Sequence, residues 1–176
     1  AGYVGFRNEA YVAPEADETL TVALEKAVKN DKLQDLTAEW PGFRADAYNN
    51  GVIDAPAPTS AEDAVLYWAV QLGEGFSADA AGCPIIVDDS LYAYAGQKIY
   101  RIDKNDGTIL ATGTMDHKSS FAINSPTYAE GMIFVGLADG CVQAFDTVTL
   151  EALWIYRDAL GGQPNCPLVY HDGSLY

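Results

Sequence analysis

Residue types that carry chemistry are sparse in this sequence, and they gather in polar stretches between apolar ones. Asp116, His117 and Lys118 set a carboxylate, an imidazole and an ammonium side by side in Met115-Asp116-His117-Lys118-Ser119-Ser120. The trio lies in a connection between repeated units, the kind of loop where binding sites collect. Residues of these types in a connecting loop are more often simply solvated, and the three stand as candidates for ligand contact only. His171 lies in a hairpin turn, His171-Asp172-Gly173, where a structural role is expected.

Two further groupings suggest metal chemistry and fail on spacing. Asp103-Lys104-Asn105-Asp106-Gly107 has the composition of a calcium loop but lacks the alternating D-x-[DN]-x-[DN]-G order and the Glu at the twelfth position. Cys83, Cys141 and Cys166 are too few and too widely spaced for a disulfide framework or a CxxC site, and they read as small buried apolar residues. No catalytic, cofactor-binding or metal-ligating residue is assigned.

Composition narrows the partners. With 25 Asp and Glu against 10 Lys and Arg, the chain carries a formal charge of −15 and has no basic run to follow a phosphate backbone. Nucleic acid and anionic membrane surfaces are therefore not expected partners. No stretch approaches the ~20 apolar residues that a membrane span needs, and Ala1-Gly2-Tyr3-Val4-Gly5 does not open a signal peptide. Any export signal would lie outside these residues.

The elements that position the polar stretches follow from an internal repeat. Trp68, Ala111 and Trp154 fall at equal intervals of 43 residues, and Asp103 and Asp146 are also 43 apart. Pro84, Pro126 and Pro167 recur at 42 and 41, each ahead of a short apolar run. A period of 40–45 residues signals propeller blades, and the strand and turn signals inside it fit a four-stranded antiparallel meander. The expected fold is all-β, an incomplete propeller of about two and a half blades.

Blade units are expected at about 84–113 and 126–157, with a third opening at 167–176 and a lone outer strand at 65–71. Phe43 to Ala64 reads as irregular. Residues 1–39 form a separate N-terminal segment in this reading. There Leu20, Leu24 and Val28 mark one amphipathic helix near 18–30 behind an Asp17 cap.

Residues 144–154, Ala144-Phe145-Asp146-Thr147-Val148-Thr149-Leu150-Glu151-Ala152-Leu153-Trp154, resemble the A-x-D-x-x-T-G-x-x-x-W signature of pyrroloquinoline-quinone (PQQ) propeller repeats, with Leu150 in place of Gly. The unit before it is a weaker copy that keeps Asp103 and Gly107 and has Ala111 where Trp is usual, so docking at that boundary is expected to be looser. Trp40-Pro41-Gly42-Phe43-Arg44 is similar to the W-P-x-F-R opening of such propellers. The resemblance runs from Trp40 to the last residue. A sandwich does not need a 43-residue recurrence, and the Gly-His and Trp-Asp pairs of WD40 blades do not occur at blade positions.

The resemblance implies structural roles for Ala144, Asp146, Thr149, Trp154, Asp103, Gly107 and Trp68. Trp154 should be buried between blades, and Asp146 and Thr149 should hold the turn between the third and fourth strands. The dehydrogenases of this superfamily hold PQQ and calcium with an adjacent Cys-Cys pair, a stacking Trp and a set of carboxylates, none of which can be placed here. The resemblance thus implies a non-catalytic binding or scaffold propeller within a larger bacterial extracytoplasmic or cell-surface protein. The alternative is a fragment of a PQQ-dependent dehydrogenase. The expected partners are the remaining blades, an unknown protein or surface ligand, and a second copy of the chain.

Overall fold

A computed structural model describes residues 32–46, 48–76, 79–119, 124–162 and 166–176. The helix expected near 18–30 lies outside them. Two four-stranded antiparallel meanders dominate. The first comprises β2 (Ile85–Val87), β3 (Ser90–Ala95), β4 (Lys98–Asp103) and β5 (Ile109–Thr114). The second comprises β6 (Thr127–Ala129), β7 (Met132–Leu137), β8 (Cys141–Asp146) and β9 (Ala152–Arg157). A third unit opens with the hairpin β10 (Tyr170–His171) and β11 (Ser174–Leu175).

Turn chemistry fixes these hairpins. Glu130-Gly131 and Asp172-Gly173 each place two consecutive residues at positive φ, the twist that a two-residue loop needs to match the flanking strands. Asp139-Gly140 does the same between β7 and β8. Both blades shift register at the same place, between Arg101 and Ile102 and between Ala144 and Phe145, so the repeat extends to its irregularities.

The first strands of the units converge: β2 touches β6, and β6 touches β10. The fourth strands point the other way and are largely exposed. Between the first two blades lies the main core, built from Ile85, Tyr92, Tyr94, Ile99, Leu137, Phe145 and their neighbours. This is the packing of propeller blades around an axis.

An unanticipated element lies on that axis. β1 (Ala38–Trp40) pairs with the free edge of β2, making a fifth strand on the inner side of the first blade. The same segment reaches the second blade: Pro41 O accepts from Tyr128 N at 2.7 Å, and Leu36 N donates to Tyr128 Oη at 2.5 Å. Asp88 N donates to Thr37 O at 2.7 Å. A Cβ on Gly131 would meet Gln34 O at 2.6 Å, so this glycine lets the strap cross the hairpin. Residues 33–41 thus tie two blades together at their inner edges.

Three expectations need correction. Residues 65–71 form no strand; they run beside the first blade as an irregular segment that Trp68 anchors. Trp154 is 42% exposed, because the described part of the third unit has only a short hairpin to set beside β9. Cys83 and Cys166 are exposed and only Cys141 is buried, since the first two precede the strands instead of lying in them.

Candidate functional site

The connection from β5 to β6 brings the three candidate residues to one end of the blades, beside the turn between β7 and β8. Asp116 Oδ2 lies 2.9 Å from Arg157 Nη2 on β9 and 2.6 Å from His117 Nδ1. The second contact does not qualify as a hydrogen bond, and it leaves the buried His117 Nδ1 without a hydrogen-bond partner. His117 Nε2 faces Asp139 Oδ2 at 3.6 Å, and Lys118 Nζ pairs with Asp79 Oδ1 at 2.6 Å. Backbone bonds complete the attachment: Gln143 Oε1 accepts from Asp116 N at 2.9 Å, and Lys118 O accepts from Ala138 N at 2.9 Å.

All three side chains are therefore engaged within the chain, bracing the inter-blade connection against the second blade. The pairs are half exposed, where such contacts contribute little stability. A shallow depression of about 580 Å³, lined by Leu72, Gly73, Glu74, Asp79 and Gly96, opens beside Lys118's partner Asp79. Among the described residues, no group of three or more His, Cys, Asp or Glu is placed to hold a metal ion.

The repeat-motif residues lie at the opposite ends of the blades, in the turns between third and fourth strands. Asp146 Oδ1 accepts from Val148 N, Thr149 N and Thr149 Oγ1 at 2.7–3.1 Å, and Thr149 Oγ1 accepts from Glu151 N at 3.2 Å. In the first blade Asp103 Oδ1 accepts from Asn105 N, and Asp106 Oδ1 accepts from Thr108 N, both at 2.8 Å. The second bond, with Thr108, holds the Asp106 carboxyl below the usual range. The carboxylates that look like calcium ligands in the sequence thus face turn amides.

Trp68 is the key to the first turn. Its indole Nε1 donates to Lys104 O at 3.1 Å, and a Cβ on Gly107 would lie 2.6 Å from the ring. Gly107 is also at φ +77°, so both the close approach and the backbone demand glycine. Lys104 ties the same turn to β1: its Nζ pairs with Glu39 at 2.7 Å and donates to Asp88 O at 3.1 Å. Its pKa is raised, first of all by the Glu39 bond.

A family profile described as outer membrane protein assembly factor BamB, a PQQ-repeat family, matches residues 51–171, most of the chain. The chain belongs to this PQQ-repeat family. No curated protein matches it closely enough to count as a relative. Among solved structures, quinohemoprotein alcohol dehydrogenase from Comamonas testosteroni superposes with a TM-score of 0.61 at 19% identity, over 77% of this chain and 22% of that one.

A europium-containing methanol dehydrogenase aligns at 0.50 and 15% identity, over 83% of this chain and 28% of that one. BamB from Moraxella catarrhalis aligns at 0.36 and 22% identity, over 42% and 22%. At these identities the likeness to the two dehydrogenases carries the fold alone, and nothing is drawn from the BamB alignment. The PQQ-repeat chain spans about a quarter of the length of these structures.

Proposed function

We propose that this PQQ-repeat chain is part of a non-catalytic propeller that serves as a binding or scaffold module. The observation that carries this reading is the strap. In the two complete blades the inner edges, where a group held on the axis would make its contacts, are hydrogen-bonded to residues 37–41 of the chain itself. Binding then falls to the ends of the propeller, where connections between blades gather. Asp116, His117 and Lys118 lie at one such end, and a protein or surface ligand of polar character would meet them there. The family description, an assembly factor of the outer membrane, supports an extracytoplasmic setting.

Melting the chain with and without PQQ and Ca²⁺ tests the reading, because a ligand that binds only the folded state raises Tm. No shift is expected at any concentration. A saturable rise would overturn the proposal in favour of a dehydrogenase fragment. For the end surface, the Asp116→Asn/His117→Ala/Lys118→Ala variant should keep its fold and lose capture of the cell-envelope partner that the parent chain retains.

A further inference from the structure

The strap is held on the first blade the way a peptide ligand is held on a sheet edge. Leu36, Ala38 and Trp40 alternate along it, and all three pack on the core between the blades. Glu39, between the last two, is exposed and pairs with Lys104 Nζ at 2.7 Å. Main-chain bonds join the strap near both ends, from Asp88 N to Thr37 O and from Tyr128 N to Pro41 O, each at 2.7 Å. The ladder between them is short and irregular, two residue pairs with a register shift. Side-chain fit therefore holds the strap more than the ladder does.

The blade does not depend on this addition. Among the described residues the second blade completes its four strands without a fifth, and β2 is already paired along its length with β3. Lys104 Nζ donates to Asp88 O at 3.1 Å and lies 3.6 Å from the Asp89 carboxylate, so its charge stands at this edge with or without Glu39. Residues 48–67, between the strap and the Trp68 anchor, are exposed throughout and contain no helix or strand. Slack of that length lets the strap leave without pulling on the sheet.

We propose that the inner edge of β2, with Lys104 at its end and Tyr128 across from it, is a strand-accepting site for an extended peptide, and that residues 33–41 are its built-in competitor. The strap itself states the ligand: apolar residues at alternate positions, the last of them aromatic and followed by proline, with a carboxylate just before the aromatic residue. Main-chain bonds supply affinity in this mode, and the alternating side chains supply selection. Tethering gives the strap a millimolar effective concentration, so a free peptide enters only where the strap is weakened. The site is independent of whatever the ends of the propeller bind.

The test uses the full chain and a fluorescein-labelled peptide of residues 33–41, followed by fluorescence anisotropy. Glu39→Ala/Trp40→Ala loosens the strap and leaves Lys104, Tyr128 and β2 unchanged. The labelled peptide should bind this variant saturably, and bind the unsubstituted chain at least about tenfold more weakly. Adding Lys104→Glu should lower the affinity roughly 2–5-fold, and a peptide carrying Glu39→Lys should recover it. No saturable binding to the variant, equal binding of a scrambled peptide, or binding indifferent to the charge at position 104 would overturn the inference. So would loss of the variant's folding transition, because the site has to stand without its occupant.

Discussion

A tyrosine hydroxyl that donates to a buried carbonyl can do so only while it keeps its proton. Burial pushes Tyr92 up to about 12, and burial together with the Glu130 bond pushes Tyr170 up to about 12. Tyr94 and Tyr128 move the same way, chiefly by burial. An unfolded tyrosine titrates near ~10. Below that pH both states hold the proton and the stabilisation is complete. Between about 10 and 12 the unfolded chain releases protons that the folded chain retains, so stability falls as pH rises. We expect Tm to decline from about pH 10 upward, with phenolate absorbance appearing in step with unfolding, and Tyr92→Phe to flatten the slope. A Tm constant across that window would mean that these hydroxyls are not held. At the first turn, Trp68→Ala should cost about 3–5 kcal/mol at most, less for the exposed part of the ring, and should free the Lys104–Gly107 backbone to exchange its amides.

Among the elements, the meanders were legible in the sequence and the strap was not. Period, turn glycines and the Pro before each first strand locate β2 to β11, because each signal is local. β1 is three residues long, and its partners are β2 and Tyr128, about 46 and 88 residues away in the chain. No short-range pattern marks such a strand. The burial of Trp154 failed for a related reason: the motif specifies the ring but not the surface that covers it. The motif singles out Asp103 and Asp146, whose carboxylates accept from turn amides, whereas Tyr92 and Arg101 carry no motif and show their role only in the packed structure. Tyr128→Phe tests the strap directly. It removes the acceptor of Leu36 N and should cost about 1 kcal/mol. Hydrogen exchange should then quicken at the Asp88 and Tyr128 amides, which bond Thr37 O and Pro41 O, and stay slow within β3 and β4. Uniform exchange throughout would show that the strap adds nothing to the blades.

Across the whole molecule, the two blade boundaries are in unequal states. The first boundary, expected to be looser because Ala111 stands where Trp is usual, is instead sealed by Tyr92 and Leu150 in one core and by the Arg101 bond to Val148 O. Beyond the second blade, Phe134 stacks on Tyr170 at 6.3 Å and leans on Trp154 at 5.7 Å, yet Trp154, Tyr156 and Tyr176 remain exposed. Exposed aromatic side chains such as Trp154 and Tyr156, two residues apart on β9, favour contact with another surface. Among the described residues no strand pairs with the outer edge of β9, which makes it a template for another strand. The 176-residue chain should therefore associate with itself through the second blade's outer row. Light scattering after size exclusion should show mass rising with concentration, and Trp154→Asp should return the chain to a monomer without lowering its Tm by more than a few degrees. Should the unsubstituted chain stay monomeric across the dilution series, the row must already be covered by a part of the same chain, and protection of Trp154 from an aqueous quencher would identify that arrangement.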